Sequence, residues 1–150
     1  MQTDAAVMDE APRKIPLSLQ QVPVQHLNAV FPHVAHWLAS VVERSGRRYT
    51  LPVLVEMIAR GEIQMWLIGD EKARGIVLTE LYYAPSGLKF AAIRGAVGEG
   101  AEGWMHLIDV LEDWAAREGC VAIDALARKG WARRLPDYKL SHVFLEKELR

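Results

Sequence analysis

Three strand-like segments follow one another in this chain with no helix between them, and this run limits the possible folds more than any other part of the sequence. They are residues 63–68 (IQMWLI), 75–83 (GIVLTELYY) and 88–97 (LKFAAIRGAV), and short turns containing Gly69-Asp70 and Pro85-Ser86-Gly87 separate them. Short turns of this kind join antiparallel neighbours in a sheet. The sequence therefore predicts a three-stranded antiparallel meander.

A glycine-rich stretch, residues 98–103 (GEGAEG), leads from the meander into the clearest amphipathic helix of the sequence. Gly119 ends this helix, and residues 120–127 (CVAIDALA) are predicted to form an apolar, central strand. The resulting strand–helix–strand unit is expected to be parallel, with a right-handed crossover. The apolar stripe of the helix has helical spacing and consists of Trp104, Leu107, Ile108, Leu111 and Ala115.

Further elements precede and follow this central part. Residues 15–22 alternate as a strand does, and residues 24–43 and 51–60 have helical periodicity, with Pro32 at the start or at a kink of the first helix. A short helix over 131–135 and a final strand over 141–149 complete the chain. This order predicts a mixed α/β sheet with helices on its faces.

The length of 150 residues suits a single domain, predicted over 15–150, behind a flexible tail over 1–14. A net charge of -1 argues against a nucleic-acid partner. Cys120 is the single cysteine, which excludes an intrachain disulfide and fits a reducing compartment. No apolar run is long enough to span a bilayer, and the first residues lack a signal-peptide core. We therefore expect a cytoplasmic protein without a membrane partner.

The glycines of 98–103 satisfy the spacing G-x-G-x-x-G between a strand and a helix, as in dinucleotide-binding folds. Only a short stretch of chain follows Asp124, too little for the further strand–helix units that such a fold needs. Glu99 and Glu102 would also repel a diphosphate at close range. A dinucleotide fold is therefore excluded, and a plain glycine turn and a phosphate-binding loop both remain open.

Over about residues 15–149, the element order resembles the GNAT superfamily of acyl-CoA-dependent N-acyltransferases. Several stretches are similar, more narrowly, to GNAT-like proteins of phages and prophages. These are MIARGEIQMWLI (57–68), VLTELYYAP (77–85), WMHLIDVLEDWAAREGC (104–120), ARKGWARRLPDY (127–138) and VFLEKEL (143–149). The resemblance implies a GNAT-like, mostly antiparallel sheet flanked by helices, with a parallel strand–helix–strand unit.

The resemblance also implies transfer of an acetyl group from acetyl-CoA to a small-molecule or protein amine. In the family, the loop after the fourth strand holds the cofactor pyrophosphate through backbone amides. Here that role would fall on Val97, Gly98, Gly100, Ala101 and Gly103.

Three residues are candidates for the catalytic steps. A base must take a proton from the acceptor amine, and Glu80 and Asp124 are isolated carboxylates inside apolar segments, which strengthens a carboxylate as a base. The alternative is that each of them points to solvent or forms a structural pair. Tyr138 is the candidate acid, three residues beyond Leu135, which stands where the family has its tyrosine.

A basic cluster after the predicted strand 120–127 suggests a rival function. The region Arg128–Arg134 includes Trp131 and could hold CoA phosphates, an acidic partner or nucleic acid, with a solvated basic face as the default. Other phage structural proteins are a further possible partner of this region. The alternative is therefore a non-catalytic virion or assembly protein that retains the fold, in the host cytoplasm or in the particle. No metal site is predicted, because His33 and His36 share a helix face without a third ligand.

Overall fold

The computed structural model describes residues 16–127 and 130–150. After a first strand and two helices, three strands follow one another, as predicted, and a third helix separates them from a fifth strand. The elements are β1 (Ser18–Gln21), a 3-10 turn (Val24–His26), α1 (Leu27–Glu43), α2 (Leu51–Ala59), β2 (Gln64–Gly69), β3 (Ala73–Tyr83), β4 (Lys89–Gly98), a 3-10 segment (Ala101–Leu107), α3 (Ile108–Arg117), β5 (Ala122–Ala125) and α4 (Gly130–Arg134).

The five strands form one sheet in the order β1-β2-β3-β4-β5. The first three pairings are antiparallel, and β4 with β5 is the parallel pair, from Phe90↔Ala122 to Ile93↔Ala125. The predicted meander and the predicted parallel strand–helix–strand unit are therefore both confirmed.

The two faces of the sheet carry separate cores, because successive residues of a strand point to opposite sides. Ile76 and Leu78 of β3 are fully buried with side chains of α1 and α2. Val77, between them, points to the opposite face of the sheet. There it packs with Trp66 and with Trp104, which lies in the 3-10 segment that leads into α3. The Trp66 indole N–H donates to Thr79 Oγ1 at 2.9 Å, which satisfies both polar groups in this second core.

Local signals explain the helix boundaries. Thr50 caps α2, because its hydroxyl accepts from the Val53 N–H, and Pro52 sits in the first turn. Pro32 lies inside α1 and does not begin it. The predicted apolar stripe of the 3-10 segment and α3 packs into the second core. Ile108 is partly buried there, and the other four members of the stripe are buried.

Two sequence predictions about the C-terminal part are wrong. The strand predicted as central over 120–127 is β5, which has four residues and lies at the edge of the described sheet. Its apolar composition suggested burial on both sides, whereas Val121 and Leu126 are 57% and 69% exposed. The strand predicted over 141–149 does not form, and its residues are exposed beside the loop that follows α1.

Candidate functional site

A cavity opens where β5 separates from β4. The last paired residues are Ile93 and Ala125, and β4 continues for five more residues to Gly98. Residues 94–98 all line a cavity of about 1070 Å³. Its other walls come from the start of α3, the end of β5, α4, the loop after α1 and the C-terminal segment, which we define as residues 141–150.

The strand β4 bulges at this point. Thr79 pairs with Ile93 and Leu78 pairs with Gly95, so Arg94 has no partner in β3. A side chain at Gly95 would meet the methyl groups of Val41 at 3.2 Å, and the absence of one lets α1 approach the strand closely. The bulge therefore changes the direction of β4 at the position beyond which β5 no longer pairs with it.

The glycine-rich loop is held against β3 by its backbone. Gly98 has φ +153°, and a Cβ there would lie 2.3 Å from the Arg74 carbonyl oxygen, so a glycine is required. Gly100 has φ +64° and faces open space. The Glu99 N–H donates to the Arg74 carbonyl at 2.9 Å, and the Arg74 guanidinium lies 3.3 Å from the Glu99 carboxylate. The same guanidinium also pairs with Asp70 at 3.1 Å, so Glu99 and Asp70 share one arginine.

Trp104 forms the wall beyond this loop. It is 5% exposed, lines the cavity, and packs so closely on Gly75 and Gly98 that a Cβ at either glycine would meet its ring at 2.9 Å. Its indole N–H is buried and has no acceptor among the described residues. A buried donor without a partner is an uncommon feature of folded proteins.

The two candidate bases lie in one row across the sheet. Glu80 of β3 and Asp124 of β5 both pair with Ala92 of β4, so the three residues share the face that α1 and α2 cover. Asp124 is one residue before the point where β5 leaves β4. Neither carboxylate lines the cavity, but Arg94, the partner of Glu80, and Ala125, the residue after Asp124, both do.

Each carboxylate has a different partner. Glu80 accepts from the Arg94 guanidinium at 2.8 Å, and Asp124 accepts from the Tyr82 hydroxyl at 2.5 Å. The hydrogen bond to Asp124, together with burial, raises the pKa of Tyr82 to about 12, so the hydroxyl stays protonated at neutral pH.

Tyr138 lies elsewhere. Its hydroxyl donates to Glu112 of α3 at 2.9 Å, and burial followed by this hydrogen bond raises its pKa well above the ordinary value. Tyr138 is not among the residues that line the cavity, whereas Leu135 is buried there. The structure does not bring the candidate acid together with the candidate bases.

The basic region meets the cavity through α4. Trp131, Arg133 and Arg134 line it, while residues 128 and 129 lie outside the described part of the chain. On the opposite side, Arg48 also lines the cavity, and it pairs with Glu146 at 2.6 Å and lies 5.5 Å from the Phe144 ring centre. The C-terminal segment thus borders the cavity mouth.

Reasoning from sequence missed Tyr82, Arg94 and this role of the C-terminal segment. Tyr82 stands two positions after Glu80, and the period of a strand could have placed both on one face. The ion pair of Arg94 could not be anticipated, because it depends on the bulge.

Other candidates have no comparable setting. Among residues 16–127 and 130–150, no three His, Cys, Asp or Glu side chains lie close enough together to hold a metal ion, and His33 and His36 are both exposed. Cys120 is partly buried, and burial raises the pKa of its thiol. None of the described helices is long and apolar enough to cross a bilayer.

The sequence matches no model of a protein family and none of the curated proteins. Solved structures are similar to it in fold. An aminoglycoside acetyltransferase from an uncultured soil metagenomic sample, solved in complex with sisomicin, is 15% identical, with a TM-score of 0.65 over 89% of this chain and 97% of that one.

Two further structures are similar to the same extent. A ribosomal-protein-alanine N-acetyltransferase from Brucella melitensis biovar Abortus 2308 is 15% identical, with a TM-score of 0.61 over 89% of this chain and 98% of that one. A transcriptional regulator from Bacillus halodurans C-125 is 19% identical, with a TM-score of 0.61 over 89% and 99%. The predicted fold class is confirmed: the chain has a GNAT-like α/β fold.

Proposed function

We propose that this protein is an acyl-CoA-dependent N-acyltransferase that transfers an acetyl group from CoA to an amine. The observation that carries the proposal is the separation of β5 from β4 beyond Ile93 and Ala125. It leaves the backbone of residues 94–98 along a cavity of about 1070 Å³. The fold shared with solved acetyltransferases supports the same function.

The cavity suits a CoA ester, which joins a phosphate-rich nucleotide to a long and largely apolar arm. The cavity lining carries positive charge on Arg44, Arg48 and Arg133. Its apolar surface includes Leu107 of the 3-10 segment and Leu111 of α3. The buried indole N–H of Trp104, in the same lining, is a donor without an acceptor.

The glycine loop would hold the pyrophosphate. Its backbone precedes a continuous turn and helix over residues 101–117, and a helix start attracts phosphate through its free N–H groups. The residues concerned are Val97, Gly98, Gly100, Ala101 and Gly103, of which Gly103 donates its N–H to the Gly100 carbonyl at 2.9 Å. When bound, acetyl-CoA supplies an acyl group that is activated as a thioester.

Asp124 is a better base than Glu80. Glu80 is paired with the guanidinium of Arg94, whereas Asp124 accepts from the neutral hydroxyl of Tyr82. Asp124 would receive the proton that the acceptor nitrogen loses as it attacks the acyl carbon. Tyr138 remains the predicted acid that would protonate the departing CoA thiolate. Its hydroxyl donates to the Glu112 carboxylate.

Calorimetric titration with acetyl-CoA tests the cofactor part of the proposal. We expect saturable binding that Arg133→Glu weakens about tenfold at low salt, because the variant places a negative charge in the cavity lining. Arg117→Glu, on exposed α3 surface, is the matched control and should bind like the wild type. An absence of binding at millimolar acetyl-CoA would contradict the proposal.

A panel of amines tests the acceptor. The neighbouring structures suggest two classes, an aminoglycoside such as sisomicin and a peptide with an N-terminal alanine. Release of the free CoA thiol measures transfer to each, and incubation without any amine gives the hydrolysis background. Transfer to either class of amine would support the proposed acyltransferase activity. If the protein binds acetyl-CoA tightly but acetylates neither class, only the cofactor-binding part of the proposal is supported.

A non-catalytic function is the second candidate, and one observation favours it. The C-terminal segment exposes four large apolar side chains, by 56% or more, as a protein-binding segment would. They are Val143, Phe144, Leu145 and Leu149. Copurification with virion or assembly proteins, lost when residues 141–150 are removed, would support this candidate, provided that acetyl-CoA does not bind.

A further inference from the structure

Tyr82 reaches Asp124 across an intervening strand. Tyr82 belongs to β3 and Asp124 to β5, and β4 runs between them. The residue of β4 that pairs with Asp124 is Ala92, a fully buried alanine whose short side chain leaves room above the strand. A hydrogen bond of 2.5 Å over this gap requires a side chain of the length of tyrosine.

The ring of Tyr82 is held on two sides. It stacks on Phe90 with 5.6 Å between ring centres and an angle of 17° between the planes. The guanidinium carbon of Arg94 lies 5.8 Å from the ring centre. Arg94 is itself held by its ion pair with Glu80. These contacts orient the phenol ring independently of its hydrogen bond to Asp124.

We infer that Tyr82 is a positioning residue, which holds the carboxylate of Asp124 where β5 leaves β4; the inference rests on the base proposed above. Among residues 16–127 and 130–150, the charged groups that act on the Tyr82–Asp124 pair from this side of the sheet include Glu80 of β3 and Arg94 of β4. Arg94 donates to Glu80, whereas Tyr82 donates to Asp124. Removing the hydroxyl leaves the carboxylate free to turn away from the acceptor.

The variant Tyr82→Phe tests the inference, because it keeps the ring and its stacking and removes only the donor. Tyr83→Phe is the matched control, since Tyr83 is the next residue and is 69% exposed. We expect Tyr82→Phe to lower kcat about tenfold, in line with the loss of one hydrogen bond to a charged group. The KM for acetyl-CoA should not change, because Tyr82 does not line the cavity. An unchanged kcat in Tyr82→Phe, with an active wild type, would overturn the inference.

A second measurement does not need activity. In protein labelled with ¹³C at the aspartate carboxyl carbons, the Asp124 signal should change its chemical shift in Tyr82→Phe at neutral pH, because the carboxylate loses the hydrogen bond that holds it. Tyr83→Phe should leave the Asp124 signal where it is. An unmoved Asp124 signal in Tyr82→Phe would overturn the inference, even if failure to bind acetyl-CoA had already removed the proposed function.

Discussion

At the level of single residues, the carboxylates of Glu80 and Asp124 occupy equivalent positions on either side of Ala92 but meet different partners. Glu80 faces the cation of Arg94 across a partly exposed ion pair. Asp124 faces a neutral phenol. The same chemical change at the two positions should therefore have different consequences.

The pair Asp124→Asn and Glu80→Gln measures this difference. Asp124→Asn should lower kcat/KM for acetyl transfer by about 100-fold or more, the usual effect of losing a base, with unchanged affinity for acetyl-CoA. Glu80→Gln should cost about 0.2–1 kcal/mol of unfolding free energy, as a partly exposed ion pair does, and less than about tenfold in rate. Steady-state kinetics and urea unfolding give the two quantities. Equal losses of rate would contradict the assignment of the base.

The sequence singled out Glu80 and Asp124 as candidates, because isolated carboxylates in apolar strand segments are conspicuous. It also located the glycine turn between a strand and a helix, and Gly98 proves to be sterically required there. The partners of the carboxylates could not be derived. They depend on strand register, and a one-residue bulge at Arg94 changes which side chains meet.

At the level of elements, the C-terminal segment keeps the alternation that predicted a strand and uses it differently. Residues at every second position of an extended chain point the same way. Glu146 and Glu148 pair with Arg48 and Arg47, on the side that also brings Phe144 to the Arg48 guanidinium. The alternation of side chains in this segment therefore corresponds to a row of ion pairs and not to pairing with a neighbouring strand.

These ion pairs are exposed, and salt should release the segment. Pairs of this kind contribute about 0.2–1 kcal/mol each and are screened by salt. We expect trypsin to cleave after Lys147 several-fold faster at 0.5 M than at 0.05 M sodium chloride, whereas cleavage after Lys72, in a backbone-bonded turn, should change little. Mass spectrometry of the digest follows both sites. Equal salt dependence at the two sites would show that the ion pairs do not hold the segment.

At the level of the whole molecule, two phenols connect elements that are distant in sequence. Tyr82 joins β3 to β5, and Tyr138, beyond α4, joins the C-terminal part to Glu112 of α3. Both pKa values are raised by burial and by a hydrogen bond to a carboxylate. The unfolded chain therefore loses these protons at lower pH than the folded protein does.

This difference predicts how the protein unfolds in alkali. Below pH 10.0, the ordinary pKa of tyrosine, both phenols are protonated in either state, and the stability that they contribute is fully present. As the pH rises from there toward about 12, deprotonation favours the unfolded chain and the contribution is progressively lost. Urea unfolding at a series of pH values should show a decline that is shallower in Tyr82→Phe and in Tyr138→Phe than in the wild type. Tyr83→Phe serves again as the exposed control, and a decline equally steep in all four proteins would contradict the assignment of the alkaline transition to these two phenols.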